Sequence, residues 1–265
     1  MKPRLIVAGA LGRMGKRIIS LAVESGEFEI TGAIERPDHP DIGKPLDTFD
    51  AGWPGSVSLA SEYSRDADVV VAFSLPEGAD AAMGFCNANS IGLVMGTTGL
   101  SDGQKAKLRA AAEKAPVVYA TNMSVGMNVL FDLVGKAAQM LGDDYDIEIV
   151  EQHHRFKKDA PSGSALTLAE HICKATGRDF PDCLDMARSG KDAAREKGRI
   201  GIHSVRAGDI TGVHSVIYST LGETVTLEHT AHNRDNFARG ALRAAKWLVG
   251  KPAGLYSMAD VLGLS

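Results

Sequence analysis

The chain has 265 residues, 44 % of them hydrophobic, enough for about two domains whose cores need no disulfide or metal staples. Its 29 lysines and arginines stand against 33 aspartates and glutamates, and the net charge of −4 excludes a nucleic-acid binder driven by bulk electrostatics. No apolar run reaches the roughly 18 residues of a membrane helix.

The first half alternates strand and helix. Leu5 to Ala8 is a short apolar run ended by Gly9. It is too short for the core of a signal peptide, and Arg13, Lys16 and Arg17 follow at once, so it reads as a buried first strand. Over residues 13–25, Met14, Ile18, Leu21 and Ala22 fall at helical spacing, and Gly26 stops the helix. Glu29 to Glu35 is the second strand. Asp68 to Phe73 holds Val69-Val70-Val71, the β-branched pattern of a strand buried on both faces. A helix led by Pro76 follows, then a strand from Leu93 to Met95. Ser101 and Gln104 form a capping box for a helix up to Ala115, and Val117 to Ala120 is strand again. Repeated βα units predict a parallel sheet with right-handed crossovers.

After about Ser124 the pattern changes. A helix from Val125 to Leu141 precedes a strand from Ile147 to Gln152, and another helix begins near Ser162. Ile202–Val205, Val213–Ser219 and Val225–Thr230 then run in sequence with short turns, as an antiparallel sheet does. The last helix, Phe237 to Val249, is expected to return to the first domain. The predicted class is therefore α/β: a Rossmann-type parallel-sheet nucleotide domain (1–124 and 235–265) plus a smaller α+β domain with a mixed or antiparallel sheet (125–234). The two are expected to close on a hinge near Ser124 and Arg234. Cys86, Cys173 and Cys183 are odd in number and form no CxxC pair, so neither a disulfide framework nor a cysteine zinc site is expected, and a reducing cytoplasm fits.

The first βα turn, Gly9-Ala10-Leu11-Gly12-Arg13-Met14-Gly15, departs from G-x-G-x-x-G because Ala10 holds the first glycine position. Gly12 lets backbone approach a pyrophosphate whose charge rests on a helix N-terminus, and Gly15 allows close packing of helix and strand. Alone, such a loop is also an ordinary strand-to-helix turn. Here Glu35 ends the second strand, where a carboxylate receives the adenosine ribose hydroxyls. Arg36 beside it suits the 2′-phosphate of NADP, so both NADH and NADPH are expected as cofactors. Gly96-Thr97-Thr98-Gly99 and Ala120-Thr121-Asn122-Met123 end parallel strands, the edge that lines a nucleotide crevice. Glycine makes up 29 of the residues, and Gly9, Gly12, Gly15, Gly96 and Gly163 are the places where backbone is expected to meet ligand.

Glu151-Gln152-His153-His154-Arg155-Phe156-Lys157-Lys158-Asp159-Ala160-Pro161-Ser162-Gly163-Ser164 is the most unusual stretch. On a regular strand His153 and His154 point to opposite faces, so both reach one ligand only where the strand ends or bulges. His153 suits proton exchange near neutral pH. Lys157 suits an anion, or acts as an acid if its pKa is depressed. The amides of the helix start at Ser162-Gly163-Ser164 form a carboxylate site. The bland alternative is a solvated basic loop. A metal site using Glu151, His153 and a distant histidine is disfavoured by Arg155 and Lys157, and no metal is expected. His203 and His214 flank Arg206-Ala207-Gly208-Asp209, a turn with a basic group.

In chain order, Gly9-Ala-Leu-Gly-Arg-Met-Gly15, Glu35-Arg36, Gly96-Thr-Thr-Gly99, Asn122-Met-Ser-Val-Gly126, Glu151 to Ala165 and Arg206-Ala-Gly-Asp209 closely resemble the 4-hydroxy-tetrahydrodipicolinate reductase (dihydrodipicolinate reductase) family. The resemblance covers essentially the whole chain. It implies reduction of a cyclic dicarboxylate by NADH or NADPH with loss of water, in the diaminopimelate route to lysine. It also implies His153 as proton donor or acceptor, Lys157 as proton donor, and His154 with the Gly163-Ser164 backbone as the carboxylate site. Cofactor contacts are implied at Gly9 to Met14, Glu35, Arg36, Gly96 to Thr98 and Ala120 to Met123, and assembly as a homotetramer through the second domain's sheet. Leu75 stands where some relatives carry Arg. Two rivals share parts of the pattern. Another two-domain NAD(P)-dependent dehydrogenase has no need of the His-His-Arg-x-Lys segment, and a non-catalytic dinucleotide sensor has no use for clustered proton donors.

Overall fold

The structure is a computed structural model of the chain and describes residues 1–186 and 188–264. In chain order the elements are β1 (Arg4–Ala8), α1 (Arg13–Ser25), β2 (Glu29–Ile34), β3 (Leu59–Ala60), β4 (Val69–Ala72), α2 (Pro76–Asn89), β5 (Gly92–Met95), α3 (Asp102–Ala112) and β6 (Pro116–Tyr119). They continue with α4 (Val125–Leu141), β7 (Asp146–His153), α5 (Gly163–Thr176), β8 (Leu184–Asp185), β9 (Ile200–Arg206), β10 (Gly212–Thr220) and β11 (Glu223–Ala231). α6 (Asp235–Leu248), β12 (Gly254–Tyr256) and α7 (Met258–Leu262) close the chain. Two compact units result, 1–125 with 234–265 and 126–233.

The first unit holds a seven-stranded sheet in the order β12-β6-β5-β4-β1-β2-β3, and every pairing in it is parallel. From β3 through β6 this is the doubly wound strand order of dinucleotide-binding proteins. β4 and β5 are buried along their whole length, as strands covered on both faces must be. Distinct apolar clusters fill the two faces. α6 belongs to this unit: Ala238, Ala241, Ala244 and Ala245 give it a narrow buried face, and Leu242 and Leu248 anchor it in the core beside α1 residues Ile18 and Leu21. Such leucines contribute about 1.5–3 kcal/mol each on burial. Asp235 at its start pairs with Arg17 of α1 at 2.8 Å. The short strands β3 and β12 carry too few residues to show a period.

The second unit holds a five-stranded mixed sheet in the order β11-β10-β7-β9-β8. Its antiparallel part is β7-β10-β11, while β9 runs parallel to β7 and β8 parallel to β9. The expected run of three consecutive antiparallel strands is thus corrected. β9 and β10 follow each other in sequence but β7 lies between them, because hydrophobic alternation fixes a strand's faces and not its neighbours. Ile147, Ile149, Ile200, Ile202, Val216 and Tyr218 form one face of the sheet, packed with α4 and α5 side chains such as Val134 and Ile172.

Candidate active site

In the nucleotide half, Gly9 follows β1 with φ +75, a conformation that L side chains rarely adopt. A Cβ there would also lie 2.6 Å from the Phe73 carbonyl oxygen. Gly12 is the N-cap of α1 and offers no side-chain cap, and no acidic residue occupies the first turn. The free amides and dipole of that turn favour an anion. Gly15 serves a different partner from the one expected. A Cβ on it would fall 2.0 Å from the Gly9 carbonyl oxygen, so it lets the helix close on the loop itself rather than on the strand. Ala10 is fully buried at the first-glycine position, and Leu11 and Met14 pack against the core. Arg13 opens α1.

Glu35 stands just past β2, and its carboxylate accepts a hydrogen bond from the Leu11 amide at 2.9 Å. Loop and Glu35 carboxylate therefore form one unit. Arg36 is exposed, with only a loose pairing to Asp38 at 3.4 Å. Gly96 and Thr97 follow β5, and Thr97 is buried with a hydroxyl that has no hydrogen-bond partner. Thr98 beside it is exposed. Packing also bears on Gly96, since a Cβ there would lie 2.3 Å from the Phe73 ring. Ala120, Thr121, Asn122 and Met123 follow β6, Asn122 accepts from the Ser124 amide at 2.9 Å, and Met123 is buried in the core. Leu75 is the N-cap of α2 and largely exposed. The cradle, the anchored carboxylate and the orphaned Thr97 hydroxyl fit a dinucleotide.

In the second unit β7 ends at His153, which releases His154 from the strand's alternation. His153 Nδ1 lies 2.5 Å from a Glu151 carboxylate oxygen. Glu151 is fully buried and accepts from both terminal nitrogens of Arg206, at 2.9 and 2.7 Å, and from the Ser162 amide at 3.1 Å. The parallel register sets this up by placing Arg206 of β9 beside His153 of β7. The turn after Arg206 is stitched to the same segment: Ala207 donates to the His153 carbonyl at 2.9 Å and Arg155 to the Gly208 carbonyl at 3.1 Å. Burial works to raise the Glu151 pKa, but hydrogen bonds from Arg206, Ser204 and His153 overcome it and hold the carboxyl down at about 2. Burial lowers the His153 pKa, against the opposing pull of Glu151.

His214 of β10 meets His153 edge-on, ring centroids 5.1 Å apart, and its Nε2 lies 3.1 Å from the Ser162 hydroxyl. Burial and then the nearness of His153 push its pKa down to about 3, so this ring stays neutral. Ser162 is the N-cap of α5 and its hydroxyl accepts from the Ala165 amide at 3.2 Å. Gly163 and Ser164 form the first turn, and nothing lies within 4 Å of where a Gly163 Cβ would be. Lys157 pairs with Asp159 at 2.8 Å. His154 Nδ1 is buried without a hydrogen-bond partner. Glu151, weighed from sequence only as a metal ligand, is an ion-pair partner instead. Among the described residues no group of three or more His, Cys, Asp or Glu side chains is placed to hold a metal. The other flanking histidine, His203, belongs to a separate network with Glu148, Arg188 and Arg195.

Fold and site together define a two-domain, nicotinamide-nucleotide-dependent oxidoreductase. Two family models match the chain, "Dihydrodipicolinate reductase, N-terminus" over residues 3–123 and "Dihydrodipicolinate reductase, C-terminus" over residues 126–262. The chain belongs to the dihydrodipicolinate reductase family. It is 44 % identical over 263 residues to the 4-hydroxy-tetrahydrodipicolinate reductase of Syntrophus aciditrophicus, covering 98 % of each chain. It is 46 % identical over 264 residues to that of Anaeromyxobacter dehalogenans, again covering 98 % of each. A dipicolinate-bound dihydrodipicolinate reductase from Paenisporosarcina sp. TG-14 shares the fold, with TM-score 0.76, 24 % identity and coverage of 98 % of this chain and 99 % of that one.

Proposed function

We propose that the protein is an NAD(P)H-dependent 4-hydroxy-tetrahydrodipicolinate reductase acting in lysine biosynthesis by the diaminopimelate route. It forms tetrahydrodipicolinate with loss of water. The observation that carries this reading is the Glu151 carboxylate, which ties His153 to the first turn of α5 beside a histidine with an unpaired buried nitrogen. The nicotinamide cofactor, when bound, supplies the hydride. Gly9, Ala10, Leu11, Gly12, Arg13 and Met14 hold its pyrophosphate, Glu35 the ribose hydroxyls and Arg36 a 2′-phosphate. Gly96, Thr97 and Thr98, with Ala120, Thr121, Asn122 and Met123, border the nicotinamide. His154, the Gly163 and Ser164 amides and Lys157 receive the substrate carboxylates. Lys157 has to leave Asp159 to do so, and because Asp159 is well exposed the pair is worth only about 0–1 kcal/mol, which permits that exchange. His153 and Lys157 supply the protons that quench charge developing on the substrate.

We place the hinge for closure where the chain crosses between its units, at residues 125–126 and 233–234. We also assign a homotetramer built through the sheet face opposite α4 and α5, where Val150, Val205, Val213 and Ile217 alternate with the buried row. A cytoplasmic location fits the three free cysteines. No helix among the described residues is long and apolar enough to cross a membrane. The test of function follows NADPH oxidation with substrate made in situ from pyruvate and aspartate semialdehyde by the preceding synthase. Turnover dependent on the synthase is expected. Nucleotide binding without turnover overturns the reading in favour of a sensor.

A further inference from the structure

The Glu151 carboxylate is the most heavily bonded acid of the second unit, yet nothing in the reaction requires it to touch substrate. It has no exposed surface, and an unpaired carboxylate there would cost several kcal/mol. Arg206 grips it through both terminal nitrogens, and the Ser162 amide takes one of the same oxygens. Three elements thus fix its orientation: β7 carries it, β9 clamps it and the start of α5 caps it. Ser204 also bonds this carboxylate, and one of its oxygens faces His153 Nδ1 at 2.5 Å. An ionised carboxylate only accepts hydrogen bonds, so the ring nitrogen facing it must carry the proton. Nε2 is then the atom left to exchange one. Gly212 of β10 keeps the space beside that atom narrow but open, since a Cβ there would lie 3.2 Å from Nε2.

We propose that Glu151 is the positioning residue of this site: clamped by Arg206 and the Ser162 amide, its carboxylate holds His153 in the Nδ1–H tautomer and dedicates Nε2 to proton exchange. The inference rests on the reading of His153 as the proton-exchanging group. The same carboxylate also touches the helix start that receives the substrate, so the proton-exchanging atom and the carboxylate site are held by one rigid group. The charged and titratable groups facing His153 are Glu151 on its own strand, Lys157 in the loop beyond, Arg206 on β9 and His214 on β10. Of these only Glu151 raises the His153 pKa. His214 stays neutral through the working range, since burial pushes its pKa down to about 3.

Glu151→Gln tests the assignment. With its oxygen facing the Ser162 amide and one Arg206 nitrogen, the glutamine presents its amide nitrogen to His153 Nδ1, which must then accept, and the bond to the other Arg206 nitrogen is lost. The expected results are a fall in kcat of about 10²-fold or more, an unchanged Kd for NADPH, and a His153 limb of the pH–rate profile displaced to lower pH. Unaltered kcat with an unmoved limb overturns the proposal. His153→Gln runs alongside. If His153→Gln is inactive while Glu151→Gln is fully active, only the positioning role fails. If His153→Gln is itself fully active, the reading beneath it fails. Should Glu151→Gln not fold, nitrogen-15 histidine spectra of the wild-type enzyme decide, with His153 assigned from the His153→Gln spectrum. Neutral His153 protonated at Nδ1 supports the proposal, and protonation at Nε2 overturns it.

Discussion

Replacing Arg36 with alanine removes the guanidinium beside the Glu35 carboxylate and leaves the carboxylate in place, because Glu35 is held by the Leu11 amide and not by Arg36. Charge-assisted hydrogen bonds from one guanidinium to a phosphate stabilise by about 1.5–3 kcal/mol. Arg36 and Asp38 are both well exposed at 3.4 Å, so the surface pair given up on binding offsets about 0–1 kcal/mol of that. The net of about 0.5–3 kcal/mol corresponds to a rise of roughly 2–150-fold in KM for NADPH. KM for NADH should change by less than about twofold, since NADH has no 2′-phosphate to lose. The assay is steady-state oxidation of each cofactor at saturating substrate, repeated at low salt and at about 0.15 M, where screening shrinks the effect. An Arg36→Ala enzyme with its NADPH-to-NADH KM ratio unchanged would refute the assignment.

Other outcomes follow from the second unit. His153→Gln should lower kcat by about 10²–10⁴-fold with KM within a few-fold, whereas Lys157→Gln should lower kcat and raise KM together; steady-state kinetics separates the two. Ser162→Ala removes both the N-cap of α5 and the partner of His214, and should cost about 1–2 kcal/mol in denaturant unfolding with NADPH affinity unaffected. Glu151 carries a pKa of about 2 in the fold against an ordinary 4.5, so its contribution to stability is complete above about 4.5 and lost as pH falls toward about 2. The stability advantage of wild type over Glu151→Gln should therefore shrink across that window in acid-unfolding curves, and a constant difference would contradict the pairing.

The nucleotide half was largely legible because its signals are local. A strand, a glycine turn and a carboxylate at the next strand's end lie within 32 residues, Arg4 to Glu35, and each constrains backbone directly. The candidate site in the second unit stands out in the sequence for the same reason: residues 151–164 are consecutive. What local pattern does not carry is partnership between distant strands. Glu151 and Arg206 lie 55 positions apart and meet only because β9 pairs parallel with β7, a neighbour relation that alternation leaves open. His214 reaches the site from β10 by the same non-local route. Gly96 carries a second constraint of this kind. Its position at a strand end suggests ligand contact, and the Phe73 ring that also crowds it comes from the preceding strand-loop unit and leaves no mark in the local sequence.

We propose that the dicarboxylate is held by His154, Lys157 and the first turn of α5, within reach of His153. A ternary crystal structure with NADH and pyridine-2,6-dicarboxylate tests it most directly. One ring carboxylate should lie on the Gly163 and Ser164 amides and His154, with the Lys157 ammonium turned from Asp159 to the ligand. A dicarboxylate bound elsewhere, with the Lys157–Asp159 pair intact and the α5 amides unliganded, would contradict it.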